Sequence, residues 1–177
     1  MSVLQKSLRT SSGKILTIRR ARDTDAAQII DLINVVGAEK IYIVIERFAH
    51  TVEWEKNYIK NQNPLNLLYM VAKLDKKIVG LLSLERETYA KTRHIASLGM
   101  VILKEFRREG IGSALVESGL EWAEKRGVEK IILSCFSTNQ PAISLYKKFG
   151  LKEESIRRKQ FKVDGKYVDE IQMALWI

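Results

Sequence analysis

The chain has 177 residues, 46% of them hydrophobic and 29% charged, with a net charge of +9 at pH 7. That length suits one domain with its own core, and the composition excludes disorder. Cys135 is the only cysteine, which excludes an internal disulfide and a cysteine-built metal site, so no metal is expected and a reducing cytoplasm is the expected setting. No apolar run reaches the ~20 residues of a membrane span, and the start, MSVLQKSLRTSSGK, lacks the apolar stretch of an export signal. Residues 1–14 read as a polar tail and 15–177 as a single domain. A first strand is predicted over 15–21, and Asp23 can cap a helix with Ala26, Ile29, Ile30, Ile33 and Val36 on one face. Gly37 ends it, and 41–48 carries no clear pattern. Thr51 can cap a second helix that runs to Asn61, before Pro64. Two apolar runs, 67–74 and 77–85, flank Asp75-Lys76 as a hairpin, and 94–103 reads as another strand. A helix is predicted over 110–126 with Gly127 after its end, followed by a β-branched strand over 128–136. A short helix over 139–148 stops at Gly150, and Asp164-Gly165 turns a hairpin between 156–163 and 167–176.

Strand, helix and strand from about 97 to 136 form a crossover unit, so those two strands should be parallel. The hairpins on either side make the rest of the sheet antiparallel. The expected fold is therefore α/β of the α+β kind: a mixed, mostly antiparallel sheet with one parallel βαβ crossover at its centre.

At the junction of that crossover stands Phe106-Arg107-Arg108-Glu109-Gly110-Ile111-Gly112-Ser113. A turn into a helix start exposes several N–H groups, and with the helix dipole these attract an anion. Gly110 and Gly112 leave room for a phosphate at the backbone, and Arg107 and Arg108 add positive charge. An ordinary strand-to-helix turn with two glycines is the competing reading. Neither the P-loop pattern nor the dinucleotide fingerprint fits, because Leu115 stands where the third glycine of the latter belongs. The net charge admits a solubilising lysine surface or an anionic ligand. No dense basic run with interleaved aromatics occurs, so no nucleic-acid partner is expected.

Arg107-x-x-Gly110-x-Gly112, after an apolar strand and before an amphipathic helix, resembles the R/Q-x-x-G-x-G/A signature of the GNAT superfamily of N-acetyltransferases. Asn139-Gln140-Pro141-Ala142-Ile143-x-Leu145-Tyr146-x-x-Phe149-Gly150-Leu151 is similar to that superfamily's N-x-x-A-I-x-L-Y-x-x-x-G-F segment, at a matching distance. The Asp164 to Asp169 hairpin resembles the amino-acid- and amine-acetylating branch. The likeness covers about 15–177 and is strongest over 97–151.

The resemblance implies a GNAT-like fold with helices on both faces of the sheet, and acetyl-CoA as co-substrate. It gives the pyrophosphate to Arg107, Arg108, Glu109, Gly110, Ile111, Gly112 and Ser113, and the pantetheine arm to the backbone of Met100, Val101 and Ile102. A backbone N–H near Ile102 would polarise the thioester carbonyl. Asn139 would hold the cofactor arm or cap its helix, and Tyr146 would be the general acid for the departing thiolate or a core aromatic. Relatives often place a carboxylate base where Ser97 stands here, so His94 is a candidate base, with Glu85 and Glu87 as competitors. The acceptor would be a small-molecule amine or a protein N-terminus. A homodimer is allowed, and a CoA-binding regulatory module without activity is the alternative reading.

Overall fold

The computed structural model describes residues 5–177. Its strands are β1 (Gln5–Arg9), β2 (Ile15–Arg20), β3 (Leu67–Leu74), β4 (Lys77–Arg86), β5 (Ile95–Ile102), β6 (Lys130–Phe136), β7 (Lys152–Val163) and β8 (Lys166–Trp176). Its α-helices are α1 (Ala26–Gly37), α2 (Val52–Asn61), α3 (Ile111–Lys125) and α4 (Gln140–Lys148). One eight-stranded sheet runs β1-β2-β3-β4-β5-β6-β8-β7. β5 and β6, joined through α3, are its parallel pair, and the other neighbours are antiparallel. The mixed sheet with a central crossover is as the sequence suggests.

The pleat of β4 sorts the helices. Gly80 lies against Leu115 and Ile111, and Gly119 against Leu82 and Leu84, so α3 covers the face to which these even-numbered residues point. Tyr69 pairs with Ser83 and therefore points to the opposite face, where its hydroxyl donates to Glu55 of α2 at 3.0 Å. Helices thus cover both faces. Trp122, Leu115, Leu82, Leu84 and Leu68 are buried in the resulting core.

Three expectations need correction. The polar tail expected over 1–14 carries a strand: β1 pairs with β2 from Gln5↔Arg19 to Arg9↔Ile15, while the part of that tail at 1–4 lies outside the described residues. The last hairpin begins earlier than 156, at Lys152. Asp23 does not cap α1, because Asp23–Asp25 form a 3-10 turn first. Thr51 does cap α2, accepting from Trp54 N–H at 3.2 Å. At Asp164-Gly165 both residues have positive φ, 45° and 82°, as a type I′ turn requires.

Asp25 instead anchors α1 to the sheet. Its carboxylate takes the Arg19 guanidinium through both oxygens, at 2.6 and 2.9 Å, and the Arg22 N–H at 2.8 Å. Burial opposes the charged form, but the hydrogen bonds from Arg19 and Arg22 outweigh it and hold the carboxyl below its ordinary 3.8. The folded value is depressed, so the pair stabilises the fold above the unfolded carboxylate range and is lost as pH falls through the folded value. Asp25→Asn leaves a guanidinium that is only 8% exposed without its counter-charge. Urea melts at neutral pH should show a loss of about 3–5 kcal/mol, and the variant's stability should fall less steeply than wild type's on acidification.

Candidate active site

β5 and β6 are registered only at Ile95↔Lys130, Ala96↔Ile131 and Ser97↔Ile132. Beyond Ser97 the two strands part, although β5 stays paired with β4 as far as Ile102↔Gly80. One edge of β5 is therefore unpaired over 98–102. Which groups face the opening follows from the antiparallel ladder on the other edge. Leu103 N–H bonds to Val79 C=O at 3.0 Å, so the next bonded pair is Val101 with Leu81. The N–H and C=O of Met100 and Ile102 are thus turned to the cleft, whereas those of Val101 are tied to β4. Of the three residues expected to offer free backbone, Met100 turns both groups to the cleft, Ile102 turns its N–H there while its C=O is taken by Arg107, and Val101 offers neither.

The cleft opens into a cavity of about 670 Å³. At one end lies the 107–113 turn. Arg108 and Gly110 both have positive φ, 67° and 83°, and Gly110 is the residue before α3. This geometry aims successive amides outward. No N–H from 108 to 113 finds a protein acceptor among the described residues, and the first bonded amide is Ala114, to Gly110 C=O at 3.1 Å. A row of unpaired donors at the start of a fifteen-residue helix is an anion site.

Three residues of the turn make contacts that the sequence does not show. A Cβ on Gly112 would stand 2.9 Å from the end of the Leu145 side chain and 3.3 Å from that of Ile102, so this glycine lets α3 pack closely on α4 and β5 as well as lining the cavity; Gly110 has open space where its Cβ would be. Arg107 lines the cavity, but its guanidinium is engaged by other parts of the fold. Its guanidinium forks onto Glu39 at 2.9 and 2.6 Å, its Nε donates to Ile102 C=O at 2.9 Å, and it lies 4.2 Å over the Tyr42 ring. Arg108 makes no ion pair among the described residues and lines the cavity, so it is the arginine left to an anion. Glu109 is turned away as well: Ser12 N–H donates to its carboxylate at 2.9 Å, and Ser11 N–H to its carbonyl at 3.3 Å. The β1–β2 turn thereby props the anion-binding turn, and Ser11 reaches the cavity.

Tyr146 and Asn139 both line the cavity from α4. Tyr146 is 6% exposed, and its hydroxyl has no protein partner yet is not sealed from solvent. Burial, with Cys135 adding to it, pushes the phenol well above its ordinary value, so it stays a protonated donor near neutral pH. Asn139 caps α4, its Oδ1 accepting from Ala142 N–H at 3.3 Å. Burial, reinforced by Glu153 and Glu170, pushes the Cys135 thiol up to about 11, which leaves little thiolate to act as a nucleophile.

His94 is not brought to the cavity. It precedes β5 at the closed end, with its ring stacked 6.4 Å from Trp176 and its carbonyl accepting from Glu129 and Lys130. Six residues of strand, roughly 20 Å at ~3.3 Å each, separate it from Met100. Glu87 lies past the end of β4. Glu85 pairs with Ser97, on the same face as Ser83 and Gly99, one strand repeat from the cavity. No Asp, Glu or His is among the residues lining the cavity itself. Sequence reading missed Tyr42, Ile43, Val44 and Phe161, which also line the cavity. The apolar, turn-poor stretch 41–48 was the available signal for the first three.

A sequence profile described as the acetyltransferase (GNAT) family matches residues 36–151. An N-alpha-acetyltransferase of Sulfurisphaera tokodaii is 32% identical over 164 residues, covering 86% of this chain and 89% of that protein. An L-amino acid N-acetyltransferase of Escherichia coli is 32% identical over 106 residues, 59% of this chain, and the match spans only 65% of that enzyme's length. A solved acetyltransferase of the GNAT family from Streptococcus pneumoniae superposes with a TM-score of 0.87 at 29% identity, over 92% of this chain and 99% of that one. Among the described residues no helix is long and apolar enough to cross a membrane.

Proposed function

The chain belongs to the GNAT acetyltransferase family and is an N-acetyltransferase, and from that premise we propose that it moves an acetyl group from acetyl-CoA to a primary amine by direct attack in a ternary complex. The observation that carries this reading is a single cavity that joins the parted edge of β5, the unpaired amides of 108–113 and the hydroxyl of Tyr146. The amides of 108–113, with Arg108, bind the pyrophosphate of the co-substrate. The free N–H and C=O of Met100, with the N–H of Ile102, line the pantetheine arm. Ile102 N–H donates to the thioester oxygen as negative charge develops there. The amine nitrogen bonds to the carbonyl carbon, the carbon–sulfur bond breaks, and Tyr146 gives its proton to the departing thiolate. The nitrogen must also lose a proton. Glu85 receives it through water, because it pairs with Ser97, one strand repeat from Gly99 in the cavity wall.

Acceptors to test are free L-amino acids and peptides with a free N-terminus, since similar proteins carry those activities in their names. Incubation with acetyl-CoA and each class, followed by mass identification of the product, should show acetylation of a primary amine. Failure with every class would favour a regulatory CoA-binding module, to which the absence of acidic or imidazole groups from the cavity wall also points.

Glu85→Gln should lower kcat/KM by about 10–10²-fold, leaving acetyl-CoA affinity alone. An unchanged kcat/KM would mean that the amine enters already neutral.

A further inference from the structure

The segment between α1 and α2 has no regular structure over 39–51, yet it is pinned at several points. A Cβ on Gly37 would meet the Ile45 carbonyl oxygen at 2.3 Å, so the chain folds back tightly over the end of α1. Phe48 N–H donates to Asn34 at 2.7 Å, and Lys40 pairs with Asp164 of the β7–β8 turn at 2.8 Å. The remaining anchor is Arg107. One guanidinium grips Glu39 with both arms, stacks on Tyr42, and holds the carbonyl of Ile102. Tyr42, Ile43 and Val44 line the cavity, and Ile102, like Met100, turns its N–H to the cleft. Arg107 and Glu39 are 23% and 18% exposed at their side chains, so water screens the pair only in part.

We propose that Arg107 is a positioning residue: through Glu39 and Tyr42 it holds the 39–44 segment as the wall of the acceptor pocket, and through Ile102 it fixes that wall relative to the thioester oxygen. This deepens the function proposed above and rests on it. A planar, forked cation suits the task, because three donor directions and a ring face are engaged at once. Lysine keeps the charge but cannot hold Glu39, Ile102 and Tyr42 together.

The test uses the full-length protein and the variants Glu39→Gln, Arg107→Lys and the charge exchange Glu39→Arg with Arg107→Glu. Three quantities are read: acceptor KM, acetyl-CoA affinity by calorimetry, and the rate of proteolysis within 39–51. Glu39→Gln and Arg107→Lys should each raise acceptor KM by about tenfold, with kcat and acetyl-CoA affinity within about twofold of wild type. Both should speed cleavage of the segment, and the exchanged pair should recover part of the acceptor KM. A general loss of folding would move all three quantities together.

If Glu39→Gln instead tightens acetyl-CoA while Arg107→Lys weakens it, Arg107 is a phosphate ligand restrained by Glu39 and the proposal falls. It also falls if acceptor KM and cleavage rate stay at wild-type values. Should wild type acetylate no amine, the function proposed above has failed, and the cleavage rates still decide whether Arg107 holds the segment.

Discussion

Replacing Ser113 with glutamate is expected to abolish the stabilisation that acetyl-CoA gives the wild-type protein. Ser113 is the third residue of α3 and lines the cavity. A carboxylate there suits the helix itself, since acidic side chains near a helix start satisfy free amides and the dipole, with a gain of about 0.3–1 kcal/mol. The same carboxylate would occupy the seat proposed for the incoming phosphates. Wild type at ~100 times the dissociation constant should gain about 2.7 kcal/mol, which for a chain of this size is roughly 5–10 °C in Tm. Ser113→Glu should melt at or above the ligand-free wild-type temperature and show no further shift with acetyl-CoA. Ser113→Ala should keep most of the response. A full shift in Ser113→Glu would remove the pyrophosphate from this turn. Gly112 is the poorer target, because a side chain there must also displace the end of Leu145 and so mixes packing with anion binding.

Tyr146→Phe is expected to lower kcat by about 10²-fold, the low end for general acid catalysis, because thiolate is already a good leaving group. The ring remains in its buried place and the hydroxyl has no protein hydrogen bond to lose, so Tm and acetyl-CoA affinity should change little. Such a separation of turnover from binding marks a group that acts as the carbon–sulfur bond breaks. Single-turnover rates isolate that step. An unchanged single-turnover rate would make Tyr146 a core aromatic that only borders the cavity.

What could be read from the sequence was mostly local. Arg107 to Ser113 announces a turn into a helix by its own residues, and Asn139 and Tyr146 share a helix face by their spacing. The crossover between β5 and β6 follows from element order. What could not be read depends on partners distant along the chain. That Gly112 also packs beside another helix was not legible, because Leu145 stands on α4. The guanidinium of Arg107 looked available because Glu39 stands 68 positions earlier, in a stretch without pattern. β1 was hidden because Gln5–Arg9 is short, polar and at the sheet edge, where pairing with β2 decides its conformation. His94 stands at the start of its strand as read, but its distance from the opening was hidden because nothing local reveals that pairing with β6 runs as far as Ser97.

The most direct test of direct transfer in a ternary complex is the initial rate of thiol release from acetyl-CoA, with acetyl-CoA and the accepted amine both varied. The account predicts release that requires amine, saturates in both substrates and gives intersecting double-reciprocal lines. Parallel lines, the mark of an acetylated enzyme intermediate, would contradict it, as would thiol release at the same rate without amine.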